Sequence, residues 1–251
     1  MLSAPAFAET FSFGVVPQQN AIRTAQIWGP ILTELGNRTG HTFVLKTNKD
    51  IPEFQASLAK GEYDFAYMNP YHYTVFSARA GYTAIAHRSG EGIRGVVVTA
   101  KNSNLQSLAE LDGRVVGFPA PAAFAATLIT QAEMAQAGAT VTPKYTSSHD
   151  SVYRAVAAGL LEAGGGIGRT LNATDPAVRD QLRILHTTAV YTPHAIAASP
   201  KVSEADQTQV QASLVGLQDP ALLDALKVSG FVPASDSDWD DVRALNLQVI
   251  R

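Results

Sequence analysis

The chain has 251 residues, 46% hydrophobic and 16% charged, enough for one large core or two smaller ones. Its net charge of -3 leaves no basic field to attract nucleic acid, and no apolar run reaches the roughly eighteen residues of a helical membrane span. It has no cysteine, which excludes disulfides, thiolate metal sites and a cysteine nucleophile.

At the start, Leu2 to Glu9 has the small residues Ala6 and Ala8 before a polar stretch, like the end of a secretory signal. Residues 1–8 are therefore expected to be a signal-peptide remnant, and the protein to be exported to the periplasm. Phe11 to Val16 alternates and reads as a first strand, ending at the polar turn Pro17-Gln18-Gln19-Asn20. Ala21 to Asn37 follows with a helical period (Ile22, Ile27, Trp28, Ile31, Leu32, Leu35), and Pro30 is expected to kink or restart it. Thr42 to Lys46 is a strand. Ile51 to Lys60 is a helix with Phe54, Leu58 and Ala59 inward, stopped by Gly61.

Asp64 to Met68 reads as a buried strand, which Asn69-Pro70 breaks and turns into a helix. Three tyrosines, an asparagine and a histidine gather there, at Tyr67, Asn69, Tyr71, His72 and Tyr73. Such polar tips on an aromatic wall suit a small ligand, or a polar loop packed on its neighbours. Tyr82 to His87 and Ile93 to Thr99 are further strands.

The pattern then restarts. Leu105 to Leu111 reads as a short helix, Val115 to Phe118 as a strand, and Ala122 to Ala137 as a long alanine-rich helix. Lys144 to Thr146 is a strand, and a helix capped by Ser148 or Asp150 runs through Ala158 to Gly159. Gly164 to Thr170 reads as a glycine-rich turn near a hinge. It is neither a dinucleotide fingerprint nor a phosphate loop, because Arg169 stands where the third glycine belongs and no lysine follows. Leu182 to His186 and His194 to Ser199 are strands, with His194 as a hinge residue. The tail is helical at Gln207–Leu217, Pro220–Ser229 and Trp239–Ile250.

Two α/β units in series follow, with 9–98 and 195–251 forming one lobe and 99–194 the other, joined by a two-strand hinge. Each lobe is expected to be a mixed sheet flanked by helices, with a ligand cleft at the carboxyl ends of strands. Four turns supply candidate groups: Gln18-Gln19, Tyr67 to Tyr71, Pro121 to Thr127, and Ser147 to Ser151. The last two open helices, whose unpaired N–H groups favour anions. Ala123 and Ala125 would allow close approach there, unless the segment is simply an alanine-rich helix packed on a sheet. His149 is either a hydrogen-bonding group for an anion or a structural histidine, and Arg169 either a fixed cation or half of a surface ion pair. Ser148-His149-Asp150-Ser151 does not make a hydrolase, since a triad is assembled in space and no Gly-x-Ser-x-Gly elbow is present.

Taken in order, Phe13-Gly14-Val15-Val16-Pro17, Tyr63 to Pro70, Leu108 to Phe118 and Ser148-His149-Asp150-Ser151-Val152 resemble the periplasmic substrate-binding proteins of phosphate, phosphonate and phosphite ABC transporters. The resemblance implies the type 2 periplasmic binding protein fold: two α/β lobes, a hinge, a ligand closed between them, and last helices that return to the first lobe. It implies a monomer that is not an enzyme, has no cofactor or metal, and delivers a small oxyanion to a membrane permease. The ligand set expected from the four turns and Arg169 is Gln18, Tyr67, Asn69, Tyr71, Ala123, Phe124, Ala125, Thr127, Ser148, His149 and Arg169. One departure stands out. Phosphonate and phosphite binders carry a serine and threonine run after the residue matching Pro121, whereas here it reads Ala122-Ala123-Phe124-Ala125-Ala126, with Thr127 the nearest hydroxyl. A related branch serves histidine kinases, so a sensory partner is the alternative; arsenite is disfavoured because the chain has no cysteine.

Overall fold

The computed structural model describes residues 8–19 and 21–247. The expected signal remnant lies, apart from Ala8, outside them. The chain forms two α/β units, each a mixed sheet flanked by helices. One unit ends at Glu91 and resumes from Thr192 to Val242; the other runs Gly92–Tyr191 and takes in the described residues from Arg243. The passages thus fall at 91/92 and 191/192 rather than 98/99 and 194/195. The reason is pairing: the strand at 96–100 is bonded on both sides within the second sheet. Among the described residues a third passage, at Val242/Arg243, adds to the expected two-strand connection.

The first unit begins with β1 (Thr10–Val15), α1 (Ala21–Thr39), β2 (Thr42–Lys46), α2 (Ile51–Ala59), β3 (Phe65–Met68), α3 (Pro70–Ala80) and β4 (Thr83–Arg88). α1 stays helical through Pro30, whose interior position costs about 3 kcal/mol. The stripe Ile27, Trp28, Ile31, Leu32 and Leu35 is buried and offsets that cost, while Ile22, expected inward, is 74% exposed. In α2 the buried positions are Phe54, Ser57 and Leu58; Ala59 faces outward. α3 starts where Asn69 accepts a hydrogen bond from the His72 N–H at 2.8 Å, and stops at Gly81, whose φ of 73° suits glycine.

The second unit holds β5 (Val96–Ala100), β6 (Val115–Phe118), a π-helical turn Phe124–Leu128 leading into α4 (Ile129–Gln136), β7 (Thr142–Tyr145), α5 (His149–Ala157), β8 (Ala163–Gly166), α6 (Gly168–Asn172), α7 (Pro176–Arg179) and β9 (Leu182–Thr187). Three expectations change. Leu105–Leu111 has only a 3₁₀ turn at Ala109–Leu111, since one turn is too short to nucleate a helix and Gly113 follows at φ 70°. The long helix from Ala122 begins instead as the π turn after Ala123. The glycine-rich turn is the central strand β8, bonded to β6 and β5.

Back in the first unit come β10 (Ala195–Ala198), α8 (Glu204–Val215), α9 (Pro220–Leu226), β11 (Phe231–Pro233) and α10 (Asp240–Arg243). A 3₁₀ turn at Asp236–Trp239 and the short α10 replace the long final helix expected over 239–250, whose last residues lie outside those described. The first sheet has the order β11-β4-β10-β3-β1-β2, with β1, β2 and β3 parallel and β10 antiparallel to β3 and β4. Phe11, Phe13, Phe65, Trp28, Ile31, Val210 and Leu214 form its core with α1 and α8. The second sheet has the order β7-β6-β8-β5-β9, with β6, β7 and β8 parallel. Along β5, Val97 joins one core cluster with Val116, Phe118 and Met134, while Val96 and Val98 join another with Val152 and Val156. That alternation follows from the two-residue period of a strand.

Candidate functional site

Each sheet has an edge where parallel strands end and polar turns begin. In the first unit β1 and β3 finish side by side, with Val15 opposite Tyr67, and β10 starts there with Ala195 opposite Met68. His194 therefore sits at the same edge. Its ring stacks on Tyr67 with centroids 4.9 Å apart and planes 18° from parallel, and Tyr67 lies 4.8 Å from Trp28. The Gln18 amide donates to His194 Nε2 at 2.9 Å. Gln18, Tyr67 and His194 thus form one aromatic and polar group, of which the sequence shows only part, since His194 reads there as a hinge residue. Its partners lie 127 and 176 residues away, a distance no local pattern spans.

Asn69 and Tyr71 belong to the first turn of α3 and are buried. Asn69 is the N-cap, so its Oδ1 is used by the helix. Beside it His72 is fully buried and receives the amides of Gln55 at 3.0 Å and Asn69 at 3.4 Å on Nε2. Among the described residues nothing partners His72 Nδ1. Burial pushes its pKa down to about 3, so the ring is neutral.

In the second unit β6, β7 and β8 end on one edge, and each leads to a helical start: the π turn, α5 and α6. In the π turn Ala123 and Ala125 are half-buried, and Phe124 is buried with its ring edge-on to Tyr191 at 6.2 Å. Thr127 is 1% exposed, and its hydroxyl donates to the Ala120 carbonyl at 2.8 Å. It is spent on closing the turn. Ser148 caps α5, accepting from the Ser151 N–H at 3.1 Å; Ser147 before it adopts φ 71°, uncommon for a non-glycine residue.

His149 opens α5. Its Nδ1 shares a 3.0 Å hydrogen bond with the Thr170 hydroxyl, which lies 2.8 Å from the Tyr153 hydroxyl. Tyr153 donates to the Ile167 carbonyl and accepts from the Ile167 N–H, both at 3.1 Å, so α6 is fastened to α5. Burial, and then the positive charge of Arg169, bring the His149 pKa down to about 4. The ring is therefore a neutral hydrogen-bonding group near pH 7. Thr170 and Tyr153 carry no signal in the sequence, because a hydroxyl in a turn and a tyrosine at a buried helical position look structural.

Of the expected residues, Gln18 and Tyr67 meet in the first unit. His149 meets Arg169 electrostatically in the second, and Ala123 to Thr127 share that edge. A surface cavity of about 490 Å³ lies elsewhere, lined by Leu32, Gly36, Asn37, His41 and Phe43. It adjoins the start of β2, at the other end of the sheet from Gln18, and His41 there is used structurally by Glu9, Asp206 and Gln209. Among the described residues there is no cluster of groups that could hold a metal ion, and no helix long and apolar enough to cross a membrane.

Residues 13–239 match the family of periplasmic substrate-binding proteins of phosphonate ABC transporters. The fold is similar to that of a binding-protein component of a phosphonate ABC transporter from Pseudomonas aeruginosa, with TM-score 0.78 and 16% identity over 96% of this chain and 86% of that one. It is similar to PhnD1 from Prochlorococcus marinus in complex with methylphosphonate, with TM-score 0.80 and 15% identity over 94% and 97% of the two chains. The periplasmic aliphatic sulphonate binding protein SsuA from Escherichia coli gives TM-score 0.68 and 14% identity over 97% and 96%. At these identities the likeness to the solved structures is one of fold.

Proposed function

Because the chain belongs to the family of periplasmic substrate-binding proteins of phosphonate ABC transporters, we propose that it captures a small phosphorus oxyanion for delivery to a membrane permease. The family is one of solute-binding proteins that work in the periplasm, and this reading takes the same place and role. The observation that carries it is the edge where the π turn, α5 and α6 begin. There a neutral imidazole, His149, is held by Thr170 beside the guanidinium of Arg169. Backbone N–H groups at helix starts add to that field without side-chain bulk, since the turn is built from Ala122, Ala123, Ala125 and Ala126.

The missing hydroxyls are the chief departure, and Thr127 does not replace them because its proton goes to Ala120. Each lost donor is worth roughly 1–3 kcal/mol to a buried charged ligand. The ligand is accordingly compact and, in the second unit, held mainly by the main chain, His149 and Arg169. The first unit has its own candidate group, in which His194 joins Gln18 and Tyr67.

A thermal-shift series with phosphate, phosphite and methylphosphonate tests this. At least one should raise the melting temperature, because a ligand that binds only the folded state stabilises it by about 2.7 kcal/mol at one hundred times its Kd. Silence from all three at millimolar concentration, alongside a shift with an amino acid or a sugar, would reverse the assignment.

A further inference from the structure

The π turn Phe124–Leu128 is a rare backbone state, which persists where its surroundings hold it. Two glycines let it pack closely. A Cβ on Gly165 of β8 would overlap the Ala126 carbonyl oxygen, and one on Gly95, just before β5, would overlap that of Ala125. Gly95 is itself fixed by Thr188. Its N–H donates to the Thr188 hydroxyl at 2.9 Å, and its carbonyl accepts from the Thr188 N–H at 3.1 Å. Ile93 and Tyr191 then exchange both backbone hydrogen bonds, at 2.7 and 2.9 Å. Residues 93–95 and 188–191 thus make a short ladder against which the turn rests.

The 188–191 segment is tethered to α4, the helix into which the π turn runs. The tether is Glu133, whose side chain is 12% exposed. Its Oε1 accepts from the Ala189 N–H at 2.8 Å and from the Tyr191 hydroxyl at 3.4 Å, and its Oε2 lies 2.5 Å from His186 Nε2. Tyr191 leads back to the turn. Its ring stands edge-on to that of buried Phe124, with centroids 6.2 Å apart. Contacts therefore close a circuit from the π turn through α4, Glu133 and Tyr191 to the turn's first residue. All of them lie within the second unit.

We infer that Glu133 and Tyr191 are positioning residues for the anion site: the bond between them, acting through Phe124, holds the π turn where its N–H groups meet the ligand. This rests on the oxyanion reading above and deepens it by assigning two residues that act without touching the anion. The turn has no side-chain donor to offer, because Thr127 donates to Ala120 and its neighbours are alanine and phenylalanine. Its grip is that of the main chain, which has no rotamers with which to follow a ligand. A hydrogen bond weakens steeply as it bends, and a binding constellation must be held within about 0.5 Å of its productive geometry. Such a turn binds only as well as its backbone is placed. A tether that merely secured the fold would change stability and leave the affinity of the folded protein alone.

Calorimetric titration of the full chain with inorganic phosphate and with methylphosphonate, at a temperature where every variant is folded, separates the two. Tyr191→Phe keeps the ring against Phe124 and removes only the hydroxyl bonded to Glu133. It should weaken the anion that the parent binds by roughly three- to tenfold. Glu133→Gln keeps a side-chain oxygen for Ala189 and Tyr191 and should bind close to the parent. Glu133→Ala should lose at least as much as Tyr191→Phe, and combining the two should cost nothing further, because the bond is already gone. Hydrogen exchange without anion reads the turn directly. The Thr127 and Leu128 N–H groups, both donated to the Ala123 carbonyl, should exchange faster in Tyr191→Phe than in the parent. Parent-like affinity in Tyr191→Phe and Glu133→Ala, or unchanged exchange of those two amides, would make the tether structural and overturn the inference alone. If the parent binds neither anion, the oxyanion reading falls and takes this inference with it.

Discussion

Two histidines lose the capacity to charge when this chain folds. His72 is driven to about 3 by burial, and His149 to about 4 by burial and then by Arg169. An unfolded histidine titrates near 6.5. Above that pH both states are neutral and neither residue affects stability. Below it the unfolded chain binds protons that the folded chain refuses, so stability falls by up to about 1.4 kcal/mol per pH unit for each histidine. The loss runs down to about pH 4 for His149 and about pH 3 for His72. Urea denaturation at pH 7 and pH 4.5 should therefore show a smaller acid loss in His149→Gln than in the parent; equal losses would mean that His149 charges freely. For binding, His149→Ala should weaken the phosphorus oxyanion by roughly 1–3 kcal/mol, the worth of one bond to a charged group, and Tyr71→Phe by less, because it keeps the buried ring. Titration calorimetry separates the two, and parent-like affinity in His149→Ala would make it a structural residue. His149 was legible from its place at a strand-to-helix turn. Thr170, which orients it, lies 21 residues away and was not.

Among the elements, β8 departs most from what its composition implied. Gly164-Gly165-Gly166 looks like a turn, yet it is a central strand, and the glycines are there because neighbours occupy the side-chain positions. A Cβ on Gly165 would overlap the Ala126 carbonyl oxygen of the π turn, and one on Gly166 would overlap the Tyr153 ring. Gly165→Ala should thus cost about 3 kcal/mol and displace the turn that carries Phe124. Gly168→Ala, where a Cβ meets nothing within 4 Å, should be neutral or slightly stabilising. Thermal melts of the two variants make the comparison, and equal melting temperatures would refute the packing account. A second device sits on α4. The Glu133 carboxylate accepts from His186 Nε2 at 2.5 Å, from the Ala189 N–H at 2.8 Å and from the Tyr191 hydroxyl at 3.4 Å. It ties the segment after β9 to the helix that follows the candidate turn. Glu133→Ala leaves those donors without their acceptor and should destabilise the protein by about 2–3 kcal/mol in urea denaturation; a change under 0.5 kcal/mol would mean that water replaces the carboxylate freely.

Taken whole, the molecule is two units with separate cores. Hydrogen exchange with saturating phosphate or methylphosphonate should protect the π turn and the start of α5. Unchanged exchange there, with binding seen by calorimetry, would overturn the assignment of the ligand to that edge. The sequence by itself determined the class of fold, since period-2 and period-3.6 patterns and turn residues are local and survive without tertiary information. It also placed β1, β2, β3, β6 and the starts of α3 and α5, where a cap residue and an apolar stripe agree. Tertiary structure alone decided the rest. The passages between units moved to 91/92 and 191/192 because β5 is claimed by β8 and β9, and a third passage fell within α10, at Val242/Arg243. His194 joined Gln18 and Tyr67, and Thr127 was spent on Ala120, through pairings that no local window contains. The physical reason is the same throughout: propensity and periodicity act over a few residues, while partner choice for a strand, a hydroxyl or an imidazole is settled by whatever the packed chain brings beside it.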